Sequence, residues 1–285
     1  MNVVIEDESK KNKKLKILYI TILIVCVIAI ILTIVLQIKG NNDTKRKNAI
    51  LQALSDSESN KYKNEFDNIF QNKVNYAENN SYKITKIESK EEIIYLGYQS
   101  REKKVNDFDL DVNIPYININ NEKIEEFNTQ IKDIFEKKAK SILNTQNDNI
   151  IYTVKYCAYI SNNKLSLIVR STLKEGTNPQ RDIVQTYNYD LENQKEYKID
   201  DILEAKGITK KVANQKIKEE IKSAQEKSEK LQEITSTSTY SRDYTSDMYN
   251  INNVTEYYLG ENNALYIIYA YGNENNTNEM DIVVM

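Results

Sequence analysis

The chain of 285 residues contains no histidine, no tryptophan, two cysteines, two prolines and six glycines. Without imidazole, Ser-His-Asp and Cys-His hydrolysis, His-ligated zinc and HExxH metalloprotease chemistry are excluded. Cys26 stands in the most apolar stretch and Cys157 far downstream, so no zinc or redox motif can be written and a disulfide between them is not expected. Glycine is too sparse for a phosphate-cradling loop of the P-loop or dinucleotide kind. With 39 Lys plus Arg against 42 Asp plus Glu the net charge is −3, which does not suit a nucleic-acid binder. The chain is therefore expected to use no cofactor and no nucleic-acid partner.

One long uncharged run is present. Residues 17–38, ILYITILIVCVIAIILTIVLQI, are 22 positions without a formal charge. As a helix they reach roughly 33 Å, enough to span the apolar core of a bilayer. Lys10, Lys11, Lys13, Lys14 and Lys16 stand before the run, which points the N-terminus to the cytoplasm. A cleavable signal peptide has a shorter apolar core and a small-x-small site, whereas this run ends in Gln37-Ile38-Lys39-Gly40. The expectation is a single-pass signal anchor in the cell membrane with a cytoplasmic tail over 1–16 and an extracellular C-terminal portion. The tail carries +2, leaving −5 outside. Cys157 has no partner there, so an apolar core and not a disulfide framework must hold the fold.

Residues 39–74 read as a polar stalk with helical character, because Tyr62, Phe66, Ile69 and Phe70 share one face. Beyond it the pattern predicts an α+β domain over 75–285, a mainly antiparallel sheet with two packed helices. Ile93–Tyr98 and Phe108–Ile114 alternate as strands with one buried face. Ile124, Phe127, Ile131, Ile134, Phe135 and Ile142 switch to a helical stripe, with Asn120 or Asn121 as N-cap. Strands follow at about 150–160, 165–173 and 183–190, the first two joined by a Ser161–Lys164 hairpin turn. A second helix runs to about Leu231, then a Ser/Thr/Tyr-rich loop over 235–253, and three short strands close the chain.

The strings Asp111-Val112-Asn113-Ile114-Pro115-Tyr116-Ile117-Asn118-Ile119-Asn120, Tyr187-Asn188-Tyr189-Asp190-Leu191 with Asp200-Asp201-Ile202-Leu203, and Tyr269-Ala270-Tyr271-Gly272-Asn273 occur in this order. Together they resemble the extracytoplasmic domain shared by anti-sigma-V factors (RsiV) and the N-terminal region of PdaC-type peptidoglycan deacetylases, over roughly residues 90–285. The resemblance implies a surface protein of a Gram-positive bacterium. It does not carry deacetylase activity, whose Asp-His-His metal site needs histidines this chain lacks. A 16-residue tail also puts sigma-factor binding in doubt. What it does imply is binding outside the cell, of lysozyme in the anti-sigma-V family.

Among candidate sites, Asp107, Asp109 and Asp111 read as a solvated strand face rather than a cation site, and Asp200-Asp201 as a helix cap. Tyr240, Arg242, Asp243, Tyr244 and Tyr249 in the polar loop are residue types enriched in recognition surfaces. Tyr271 and Asn273 join them from the terminal motif of the resemblance. Beside this stand anchoring or disorder of the loop and a Gly-Asn turn between core strands, and these structural readings weigh more. The expected function is a membrane-anchored extracytoplasmic binding or sensing domain, without catalysis, for lysozyme or another cell-wall component. Anti-sigma-like signalling and a carboxylate-only glycan hydrolase are the alternatives.

Overall fold

The computed structural model describes residues 58–77, 79–146 and 148–285 together with helical positions between 32 and 52. It divides into two units, Met1–Asp56 and Ser57–Met285. Among the described residues no helix is long and apolar enough to cross a membrane. The expected tail over 1–16 and the expected spanning segment over 17–38 lie outside the described residues, save for positions 32, 33, 36 and 37 of the latter.

The second unit is mixed α+β and mainly antiparallel. It begins earlier than the 75–285 expected from the pattern. Helix α1 (Glu58–Asn68) and strand β1 (Lys73–Tyr76) belong to it, although the sequence reads as stalk there. Phe66 on α1 is fully buried, and burial of such a side chain stabilises by roughly 1.5–3 kcal/mol. Strands β2 (Ile94–Lys104) and β3 (Phe108–Ile117) form a hairpin whose turn carries Asn106 at φ 67. Helices α2 (Glu122–Ile131) and α3 (Lys137–Ile142) follow, continuous through a π turn at Lys132–Glu136. Asn121 caps α2, accepting from the Lys123 N–H at 3.0 Å. The helical return carries the chain back alongside β3, so β4 (Ile150–Ser161) pairs with it in parallel. Strands β5 (Lys164–Glu175), β6 (Arg181–Asp190) and the short β7 (Lys195–Glu196) complete the expected meander. Where β3 ends its pairing at Val112–Val154, β1 takes over the same edge of β4, from Lys73–Cys157 to Tyr76–Ile160.

Helices α4 (Ile199–Ala205) and α5 (Lys210–Thr235) come next, then strands β8 (Glu256–Leu259), β9 (Leu265–Ala270) and β10 (Met280–Val284) in a separate antiparallel sheet of order β10-β9-β8. Period-2 alternation gives each sheet two buried faces and produces four layers. Ile124, Phe127, Ile131 and Phe135 of the first helical layer pack on Val112, Val154, Leu167 and Tyr187 of the large sheet. Its other face, Ile168 and Val184, meets Tyr258, Ile268 and Ile282 of the small sheet, with Phe66 at the margin. The outer face of the small sheet, Ile267, Tyr269 and Val283, is covered by Ala213, Ile217 and Ile221 of α5.

Between the two sheets runs a hydrogen-bonded polar seam. Asn188 donates to Tyr257 O at 2.7 Å, Tyr257 N–H to Thr186 Oγ1 at 3.0 Å, and Leu259 N–H to Ser166 Oγ at 3.0 Å. Glu256 is buried in this seam and accepts from Thr186 N–H at 2.6 Å. Burial raises its carboxyl pKa from 4.5 to about 7 against the lowering effect of the Thr186 hydrogen bonds. Because the folded value lies above the unfolded one, the proton on Glu256 supports the fold fully below about pH 4.5. That support is lost as pH rises through 7. Glu256→Gln is thus expected to leave stability unchanged at pH 4.5 and to raise it by about 3 kcal/mol at pH 8, as urea unfolding at the two pH values will show.

Candidate functional site

The structure brings Tyr240, Arg242, Tyr249 and Tyr271 together, as a tie inside the protein. Residues 236–246 leave α5 without regular structure, followed by 3₁₀ turns at Asp247–Tyr249 and Ile251–Asn253. Arg242 is only 7% exposed. Its Nε donates to Asp281 Oδ2 of β10 at 2.5 Å, and Nη1 donates to Ser228 Oγ at 2.8 Å and to Tyr240 O at 2.9 Å. Its Nη2 reaches Glu279 Oε2 at 3.4 Å, and its backbone N–H donates to Gln225 Oε1 at 2.7 Å. Burial alone would lower the guanidinium pKa. The hydrogen bond and charge of Asp281 reverse this and raise it above the ordinary arginine value.

Tyr271 Oη donates to the same Asp281 oxygen at 2.5 Å and bonds Tyr249 Oη at 2.8 Å. The Tyr240 ring stacks on Tyr271 with centroids 4.3 Å apart. Burial, followed by the charge of Asp281, pushes the Tyr271 pKa up, so this phenol remains a proton donor at physiological pH. By contrast, Tyr269 Oη is buried with no hydrogen-bond partner among the described residues. Tyr271→Phe is expected to cost about 1–2 kcal/mol because Asp281 loses a charge-assisted bond. Tyr269→Phe removes an unsatisfied hydroxyl and is expected to be neutral or stabilising. Thermal unfolding of the two variants side by side tests the contrast.

The remaining expected residues stand apart from this tie or on its surface. Asp243 is exposed and turns back on its own loop, accepting from Thr245 N–H at 3.0 Å and Thr245 Oγ1 at 2.6 Å. Those bonds hold its carboxyl below the usual range. Tyr244 is half-buried at the margin of the α5 core, and Met248 is 41% exposed. Asn273 faces the other sheet: its Oδ1 accepts from Val184 N–H and its Nδ2 donates to Val184 O, both at 2.9 Å. The Tyr271-Gly272-Asn273 string is thus a joint, with Tyr271 locking the loop, Gly272 letting backbones meet and Asn273 pairing with β6.

Sequence reasoning missed Asp281, Glu279, Ser228 and Gln225 as the partners of Arg242. The available signal was Asp281 itself, an acid inside an apolar terminal strand. The other acidic candidates are paired with bases: Asp109 with Lys103, Asp111 with Arg101 and Lys155, and Asp107 with Lys104. Among the described residues no group of three or more Asp, Glu, Cys or His side chains is placed to hold a metal. Asp201 caps α4 by accepting from Lys198 N–H at 3.0 Å, and Asp200 pairs with Lys210.

No protein-family model and no curated protein matches the chain. A crystal structure of a member of the DUF3298 family from Bacteroides fragilis is similar to 62% of this chain and 79% of that one, at 14% identity and a TM-score of 0.30.

Proposed function

We propose that the chain is a membrane-anchored extracytoplasmic binding or sensing domain that recognises a wall-associated protein ligand, lysozyme foremost, through the loop over 236–250, without catalysis of its own. The observation that carries this reading is the order of that loop. A long segment without helix or strand is held by the buried Arg242 to β10 and α5, while Asp243 and Met248 face outward with Tyr244 between them. A loop fixed before its ligand arrives loses little conformational entropy on binding. The uncharged run over 17–38 supports the anchor, and the strings resembling anti-sigma-V and PdaC-type domains support the placement outside the cell. The net charge of −5 outside the anchor suits a basic ligand.

The test is calorimetry of residues 57–285 with lysozyme at low salt and at about 150 mM, where exposed charges are largely screened. The fragment starts at 57 because trimming to 75 removes Phe66 and half of β1. Affinity of about 1 μM or tighter that survives the salt, and that falls roughly tenfold in a Tyr244→Ala, Met248→Ala variant, is the expected result. Absence of binding by the folded fragment removes lysozyme as the ligand. Binding untouched by the double substitution removes the loop as its surface.

A further inference from the structure

We propose that the seam between the two sheets is a proton-operated clasp, in which β8 stays docked on β5 and β6 while Glu256 carries its proton and lifts locally away from them when the carboxylate ionises. The edge of the small sheet is built for such a release. β8 has a strand neighbour on one side only, β9. On its other side Tyr257 N–H donates to Thr186 Oγ1, Tyr257 O accepts from Asn188 Nδ2 and Leu259 N–H donates to Ser166 Oγ. Three side chains of the large sheet thus stand where a neighbouring strand would, and water can take over each of these bonds once the edge lifts. The other attachment of the small sheet is of a different kind. At Gly272 and Asn273 its connecting turn is bound to Arg181 and Val184 of β6, two positions before Thr186. That joint is the hinge, and β8 is the part free to move.

Glu256 makes the seam respond to protons. It is 7% exposed, and its Oε2 accepts from Thr186 N–H. Among the described residues no lysine or arginine pairs with it. On the large sheet, Ile168 lies opposite Thr186 in register, and the charged side chains that flank these two are already matched, Arg170 with Asp182 and Asp67, and Lys164 with Asp190. From the small sheet Glu256 faces Ile268 of β9, with Ile282 of β10 next to it. On β8 itself the titratable neighbours are Tyr257 and Tyr258, whose phenols burial holds protonated. Glu196 and Asp201 act on Tyr257, and Glu65 of α1 acts on Tyr258. These acids add negative charge to the surroundings, and none supplies a counter-charge.

An ionised Glu256 therefore has only the dipoles of Thr186 and Thr255 in place of water. The neutral carboxyl loses far less by staying inside. Ionisation favours every state in which the carboxylate reaches water, and the smallest such opening lifts β8 and leaves the Gly272–Asn273 joint closed. Burial brings the carboxyl pKa up to about 7, so the clasp works near neutrality. Since the closed value lies above that of the hydrated group, the clasp is firm on the acid side and loosens as pH rises through 7. The inference is independent of the loop over 236–250 being a binding surface.

Amide hydrogen exchange of the full chain, held in an uncharged polyoxyethylene detergent, tests the clasp at about pH 6 and pH 8, with labelling times scaled to the intrinsic rate at each pH. Mass spectrometry with electron-transfer fragmentation reads Thr186, Tyr257 and Leu259 separately from the ladder amides of β4. At pH 8 these three seam amides are expected to exchange through an opening that leaves β4 protected. Their protection should be about tenfold lower at pH 8 than at pH 6. Glu256→Gln should abolish that difference. Seam amides as protected as β4 at both pH values mean that β8 lifts only when the whole unit unfolds, which overturns the proposal. So does a fall that persists in Glu256→Gln, or the lack of any fall in the parent chain.

Discussion

Replacement of Gly272 by alanine is expected to lower the unfolding temperature by about 10 °C, the equivalent of roughly 4 kcal/mol in a unit of this size. A Cβ at this position falls 1.8 Å from Asp182 O and 2.5 Å from Thr277 O. Both are backbone atoms, so no side-chain rotation relieves the overlap. The Thr277 carbonyl is itself held, because Asp182 N–H donates to it at 3.1 Å, and the Asp182 backbone is held in β6 by its pairing with Thr172 of β5. Arg181 Nε donates to Gly272 O at 2.6 Å and its Nη2 to Asn273 O at 3.0 Å, while the Asn273 amide pairs with Val184. Room for one methyl group therefore means separating the terminal joint from β6 and giving up several of these bonds together. Gly207→Ala provides the comparison. Gly207 has φ +65 and open space around it, and its substitution is expected to cost only about 1 kcal/mol. Thermal melts of the two variants decide the matter, since a Gly272→Ala midpoint no lower than that of Gly207→Ala is incompatible with the close approach.

The same joint shows which parts of this fold were legible in the sequence. Period 2 in Phe108–Ile114 and period 3.6 in Ile124–Ile142 mark faces that the core reads directly, and Asn162 and Asn163 supply the positive φ of the β4–β5 turn. Those signals are local. The parallel partners of β4 are not, because a strand's alternation says which face is buried and not which neighbour it has. For the same reason Lys73–Tyr76 reads as stalk: four residues with two apolar positions, Val74 and Tyr76, become a strand only when β4 leaves an edge open. Arg242 illustrates the limit for the candidate site. Its residue type and polar surroundings suggest a surface, yet Asp281, 39 positions away, draws it inside.

Arg170→Ala is expected to cost about 3–5 kcal/mol, the range for breaking a buried ion pair from one side. Arg170 Nη2 donates to Asp182 Oδ2 at 2.5 Å and Nε to the same oxygen at 3.2 Å, Nη1 reaches Asp67 on α1, and the guanidinium lies over the Phe70 ring. Asp182 is 1% exposed. After truncation, among the described residues, only Gln180 Nε2, at 3.1 Å from Oδ1, remains as a side-chain donor, and a buried carboxylate keeps its desolvation cost with little in return. Arg170→Met with Asp182→Asn removes both charges and is expected to be more stable than Arg170→Ala alone. Asp67→Asn is expected to cost under about 1 kcal/mol, because that carboxylate is well exposed. Lysine at 170 cannot serve two carboxylates with a fixed fork, so Arg170→Lys should recover only part of the loss. Asp182 also supplies the carbonyl that faces Gly272, which couples the two expected losses. Once Arg170 no longer holds Asp182, the backbone there can give way to a methyl group. The Arg170→Ala, Gly272→Ala double variant should therefore be less destabilised than the sum of the single variants. Urea unfolding of the four proteins in the cycle measures this directly, and strict additivity would mean that Arg170 does not set the position of the Asp182 backbone.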